Sequence, residues 1–120
     1  TLSELLVVLI IIGILVLIAL PKLMPLITKA RTTEAKTNLK AIYTMQKSYF
    51  YEHLEYAPDL VTLDFELENP SEAKYDYEII EITESEFLIQ ATAKVDFDQN
   101  GNINVWTINQ TGELIEKVKD

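Results

Sequence analysis

The side chains able to do chemistry in this 120-residue chain are almost all carboxylates: nineteen Asp and Glu, against one His and no Cys. Without Cys there is no disulfide framework and no zinc-thiolate site. With His53 alone there is no His-based metal cluster, and the usual Ser-His and Cys-His nucleophile pairs are missing. Seventeen acids fall within residues 48–120, but no spacing singles out a catalytic pair. Three acidic or amide positions do stand out. Glu4 lies at the head of an uninterrupted apolar run. Asp96-Phe97-Asp98-Gln99-Asn100-Gly101 matches the opening of a calcium loop, D-x-D-x-N-G. Asn109-Gln110-Thr111 is an N-x-T sequon.

For calcium, Asp96, Asp98 and Asn100 are the candidate ligands. An EF-hand requires a Glu at the twelfth position; that position is Thr107, and no helices flank the run. A hairpin turn whose Asp and Asn accept local backbone hydrogen bonds is the simpler reading. The sequon is explained equally by a tight turn.

Glu4 gains meaning from the apolar residues behind it. From Leu5 to Leu20 every residue is Val, Leu, Ile or Ala except Gly13. As a helix, Leu5 to Pro21 covers about 25 Å, near the ~30 Å of a bilayer's hydrocarbon core. A carboxylate costs roughly 2.5–3.5 kcal/mol at mid-bilayer and less near an interface, which the apolar run outweighs. Glu4 then has two readings. It caps the first turn, where negative charge suits the helix dipole; or it takes a cationic partner from another copy. Apolar helices gain little hydrophobic energy on leaving lipid for one another, so association needs packing and polar pairing. Glu4 is the only charge in the segment able to supply the latter. Gly13 and Pro21 are expected to weaken the helix, through missing side-chain packing and a missing N–H respectively.

Charge is sorted along the chain. Residues 22–47 hold six cations against Glu34, and residues 48–120 hold four cations against their seventeen acids. An apolar rod, a basic stem and an acidic head result, with a net charge of −9. The acidic balance predicts no nucleic-acid contact. The basic stem fits either anionic lipid or the acidic head of another copy.

The stretch Thr1-Leu2-Ser3-Glu4-Leu5-Leu6-Val7-Val8-Leu9-Ile10-Ile11-Ile12-Gly13-Ile14-Leu15, with Ala19-Leu20-Pro21 behind it, closely resembles the mature N-terminus of bacterial type IV pilins and type II secretion pseudopilins. The likeness covers about the first 25 residues. That family opens with an N-methylated Phe ahead of Thr-Leu, so the resemblance implies a modified residue before Thr1. Ser3 departs from the family's branched apolar residue. The resemblance further implies a homo-oligomeric helical filament whose interface includes Thr1, Glu4, Leu5, Leu6, Gly13 and Pro21. Glu4 would pair with a neighbour's N-terminal amine, and the segment from Gly13 to Pro21 would lose helical structure on assembly. It also implies an inner-membrane protomer, a prepilin peptidase, a pilus assembly machine and an extracellular filament. A small, Cys-free major pilin is the expected subunit; a major pseudopilin, in which a calcium site near the C-terminus is a family feature, is the alternative. A membrane-anchored binding module is the competing class, and no enzyme is expected.

The remaining residues predict an α+β fold. Residues 1–27 form the hydrophobic helix and 28–120 the globular head. In the head an amphipathic helix over 28–54 carries an inward stripe of Ala35, Leu39, Ile42, Gln46, Tyr49 and His53, widened by Met45, Phe50 and Leu54. A loop over 57–74 comes next. Four strands, near 75–82, 86–96, 102–109 and 113–118, make an antiparallel meander packed on the helix. In the second, Phe87, Ile89, Ala91, Ala93 and Val95 face inward, and its two Ala let the helix cross closely.

Overall fold

The structure is a computed structural model that describes residues 1–97 and 99–119, with the side chains of 23–28 outside the description. The described elements are a helix α1 (Leu2–His53) and four strands, β1 (Tyr75–Ile82), β2 (Phe87–Ala93), β3 (Val105–Asn109) and β4 (Leu114–Val118). The chain divides into two compact units, Thr1–Ala30 and Arg31–Asp120, and α1 contributes to both.

In the first unit α1 runs through Gly13 and Pro21 without interruption. The weakening expected at these two residues leaves the helix of the single chain intact. Leu2–Lys22 is long and apolar enough to cross a membrane, and none of it is buried by the chain itself. A methyl group added at Gly13 would meet nothing within 4 Å. No contact within the single chain therefore calls for a glycine there.

In the second unit the helix presents Ala35, Leu39 and Ile42, all fully buried, to the inner face of the sheet. The sheet order is β1-β2-β3-β4, every neighbour antiparallel. This is the meander that the alternating sequence pattern predicts. Tyr75 on β1, Phe87, Ile89, Ala91 and Ala93 on β2 and Ile108 on β3 complete the core with Tyr56, Ala57 and Leu63 from the connecting segment. Ala91 sits between Tyr77 and Trp106 in the register, so the small residues do line the crowded middle of the inner face.

Several expected boundaries shift. β2 ends at Ala93 rather than 96, and Val95 is 58% exposed instead of inward-facing. The cause is local. Ala93 N donates to Asn104 O at 2.9 Å and Lys94 N to Lys74 O at 2.9 Å, after which the chain turns out of the ladder. β3 starts at Val105, not 102, because Asn104 is drawn into a buried side-chain network. At the end of α1 the inward stripe stops early. Met45, His53 and Leu54 are exposed; Leu54 takes a left-handed φ of 62° and closes the helix through its N–H to Phe50 O at 2.8 Å. His53 stacks on Tyr49, centroids 4.1 Å apart, outside the core.

Two side-chain amides hold the head's irregular segments. Gln46, fully buried, donates through Nε2 to Ala57 O at 2.9 Å and accepts from Ala57 N at 2.7 Å. This two-way bond fixes the point where the loop leaves the helix. Asn104, also fully buried, accepts from the Tyr75 hydroxyl at 2.5 Å. Its Nδ2 donates to Glu116 Oε2 at 2.9 Å and Val118 O at 2.8 Å. β1, the β2–β3 loop and β4 are thereby tied without a covalent staple.

Candidate assembly site

The residues expected to mediate assembly begin at the start of α1. Thr1 Oγ1 accepts from Glu4 N at 3.4 Å, and Thr1 N donates to Glu4 Oε2 at 3.1 Å. Leu5 N reaches Thr1 O at 3.2 Å, the first turn of the helix. Reciprocal bonds between a Thr and the Glu three residues on are a capping box, which satisfies donors that the first turn leaves open. The signal for it, T-x-x-E ahead of an apolar run, is present in Thr1-Leu2-Ser3-Glu4, and reading Glu4 only as a dipole cap missed half of it. Ser3 joins through a 3.0 Å contact between its hydroxyl and that of Thr1. Both Thr1 and Glu4 remain largely exposed.

Behind the box, Leu5, Leu6 and the residues to Leu20 lie open, the large side chains each between 48% and 71% exposed. Burying a side chain of this kind is worth about 1.5–3 kcal/mol. A stripe this long therefore needs lipid or protein around it. Thr1, Glu4, Leu5, Leu6, Gly13 and Pro21 fall on one continuous helix, in the order the resemblance requires.

The stem cations are less available than composition implies. Arg31 lies 4.7 Å over the Phe97 ring and Lys36 4.7 Å over Trp106. Lys47 sits 5.7 Å from the rings of both Tyr43 and Tyr56 and donates to the Tyr56 hydroxyl at 3.4 Å. Half of the six stem cations thus engage aromatic rings of their own head, contacts worth about 0.5–1 kcal/mol each where exposed. Tyr77 packs against the same helix. Asn38 Nδ2 donates to its hydroxyl at 2.9 Å. Burial chiefly pushes the Tyr77 phenol up to about 12, the Asn38 bond opposing and the nearby Glu34 charge adding to the rise. On the loop, Asp59 is held below its ordinary value by the Thr62 hydroxyl and the Thr62 N–H.

The candidate calcium ligands behave as turn residues where they are described. Asp96 Oδ2 accepts from Gly101 N at 2.6 Å, and Asn100 Oδ1 from Asn102 N at 2.8 Å. Asp98 lies outside the described residues. Among the described residues no group of three or more His, Cys, Asp or Glu is placed to hold a metal. The sequon forms a compact turn: Asn109 Oδ1 accepts from Thr111 N at 3.0 Å, Thr111 Oγ1 at 2.7 Å and Glu113 N at 3.1 Å. Gly112 completes it at φ 79°, its Cα facing the Tyr43 ring.

A family profile described as type IV minor pilin ComP, DNA uptake sequence receptor, matches residues 21–102, more than half of the chain. The chain belongs to the type IV pilin family. Pilins are structural proteins, and this one is not an enzyme. The type IV major pilin protein PilA of Myxococcus xanthus is 51% identical over 57 residues, covering 48% of this pilin. That stretch is 26% of PilA, so the chain spans about a quarter of that curated relative. Among solved structures, the non-core minor pilin PilV of Neisseria meningitidis superposes with a TM-score of 0.54 at 15% identity, over 78% of this chain and 90% of that one. The long helix followed by a four-stranded antiparallel sheet is the pilin fold. Family membership implies assembly into a pilus.

Proposed function

We propose that this pilin is a major subunit, polymerising into a type IV pilus through residues 1–27, and that Glu4 pairs with the N-terminal amine of a neighbouring copy. The observation that carries this is a helix whose apolar side chains are open from Leu5 to Leu20 behind a lone carboxylate. In the protomer the inner membrane covers that surface; in the filament other copies of it do. The capping box leaves Glu4 exposed, and a cationic amine is a stronger partner for it than a neutral N–H. The open space around Gly13 admits the backbone of a neighbouring helix. A prepilin peptidase and the pilus assembly machinery act before and during polymerisation, and the filament is extracellular.

The high local identity to a major pilin favours the major role. A minor role is the second reading, favoured by the ComP profile and the PilV fold. The DNA receptor named in that profile is not our reading for this chain, because an acidic head opposes phosphate backbone. A pseudopilin is disfavoured by the local bonding of Asp96 and Asn100. The deciding experiment is electron microscopy of sheared surface material from cells expressing wild type or Glu4→Ala. Wild type is expected to supply the bulk of the filaments. Glu4→Ala should insert normally in the membrane and yield at least tenfold fewer filaments. Undiminished filaments would refute the pairing, and a trace of wild-type chain within filaments of another subunit would favour the minor role.

A further inference from the structure

The outer face of the sheet, turned away from α1, has a composition the rest of the head does not share. Within residues 48–120 seventeen acids face four cations, yet the outward positions of β2, β3 and β4 are Gln90, Thr92, Val105, Thr107, Ile115 and Val118, all uncharged. They are adjacent in register: Gln90 pairs with Thr107 and Thr107 with Ile115, while Thr92 pairs with Val105 and Val105 with Val118. Thr107 at the centre is 1% exposed, and Ile115 and Val118 remain 43% and 38% exposed. Nothing in the fold requires charge to avoid this face. A solvated sheet face in so acidic a domain would ordinarily carry Glu and Lys, and depletion of charge is what marks the centre of a protein interface.

We infer that this face docks on the same face of a second copy of the chain, sheet against sheet. Two features favour a second copy over another partner. The first is the rim. β1 at one edge carries Asp76, Glu78 and Glu81, and the β4 edge carries Lys117, followed by Lys119. A two-fold axis running along the strands lays the acidic β1 rim of each copy over the basic β4 rim of the other. An axis across the strands would instead oppose acid to acid, so the charges select one isologous arrangement. The second feature is size. Five paired residues at ~3.3 Å rise and three strands at ~4.8 Å spacing make a footprint of roughly 250 Å² per copy. That is well below the ~800 Å² per partner of a stable complex. Single copies therefore do not dimerise, whereas a polymer repeating the face adds weak contacts in series. This rests on the filament reading above: the face joins filaments laterally into bundles.

The test is low-speed sedimentation and microscopy of sheared filaments from wild type, Ile115→Val and Ile115→Lys. Ile115 is an exposed edge position outside the core, so the charge leaves folding and filament yield unchanged. Wild type and Ile115→Val are expected to pellet as bundles, and Ile115→Lys to stay suspended as single filaments with at least a tenfold smaller pellet. Equal bundling by Ile115→Lys overturns the inference, as do wild-type filaments that never bundle. If Ile115→Lys bundles normally but loses adherence to apolar beads, the face serves another partner and the inference also falls. Should no filaments form at all, the polymer reading fails on its own. The face is then read in membranes by a short bismaleimide on Gln90→Cys in this Cys-free chain, where dimers are expected and monomers alone overturn it.

Discussion

Replacing Gln46 by Leu should destabilise the head more than its modest change in volume suggests. Gln46 and Ala57 are both fully buried, and their two bonds, 2.9 Å and 2.7 Å, are the ones holding the loop's first backbone unit to α1. The leucine side chain would leave the Ala57 N–H and C=O without partners. Each buried orphan costs about 1–3 kcal/mol, giving roughly 2–6 kcal/mol in total. The added apolar burial of the leucine offsets about 1–2 kcal/mol of this, leaving a net loss of about 3 kcal/mol. The assay is urea unfolding of residues 31–120, whose core lies wholly within that unit, followed by Trp106 fluorescence. With a slope near ~1.5 kcal/mol/M the midpoint should fall by about 2 M. Gln46→Glu supplies an internal control. Its carboxylate still accepts from Ala57 N but opposes Ala57 O, so burial raises its pKa. Stability should then be recovered as pH falls and the group protonates, and lost as pH rises through that raised value. A Gln46→Leu variant within about 0.5 kcal/mol of wild type, or a Gln46→Glu variant indifferent to pH, would refute the clamp.

Other perturbations read other parts of the head. Gly112→Ala places a methyl at φ 79° and 3.3 Å from Tyr43 Cζ; thermal unfolding should show a loss of about 1–2 kcal/mol, and Gly112→Ala with Tyr43→Ala should recover the steric part. Tyr77 has its pKa raised to about 12, so its contribution is present below the ordinary phenol value near 10 and is lost as pH rises from there through 12. Alkaline unfolding of Tyr77→Phe should lack that component, and an unchanged alkaline profile would contradict it. Asn104→Ala removes three bonds joining Tyr75, Glu116 and Val118; limited proteolysis should then cut the 94–104 loop first, whereas uniform cleavage would show the network holds nothing in particular.

The fold was legible where physical signals are strong and local. Alternation over Phe87–Ala93 and the Gly- and Asn-bearing links determined the meander, and the spacing of Ala35, Leu39 and Ile42 located the helix face. Legibility failed at Val95, Met45 and Leu54, apolar residues whose exposure depends on where neighbouring chain departs. Val95 continues the alternation perfectly, but the ladder bond from Ala93 to Asn104 sends it outward. Gln46 was placed on the inward stripe by period alone, and its bond to Ala57 joins positions eleven apart that no pattern links. At the assembly site the order of Glu4, Gly13 and Pro21 was plain, while the capping box was half read although T-x-x-E stands in the sequence. The pairing of Arg31, Lys36 and Lys47 with rings of their own head could not be read, since charge sums carry no information about which aromatic each cation meets.

The most direct measurement is a cryo-electron microscopy map of the assembled filament, resolved well enough to place the Glu4 carboxylate. Our account expects the N-terminal nitrogen of an adjacent copy within about 3–4 Å of it, deep among the packed Leu5–Leu20 helices. A carboxylate facing solvent, or bonded only to its own Thr1, would contradict it.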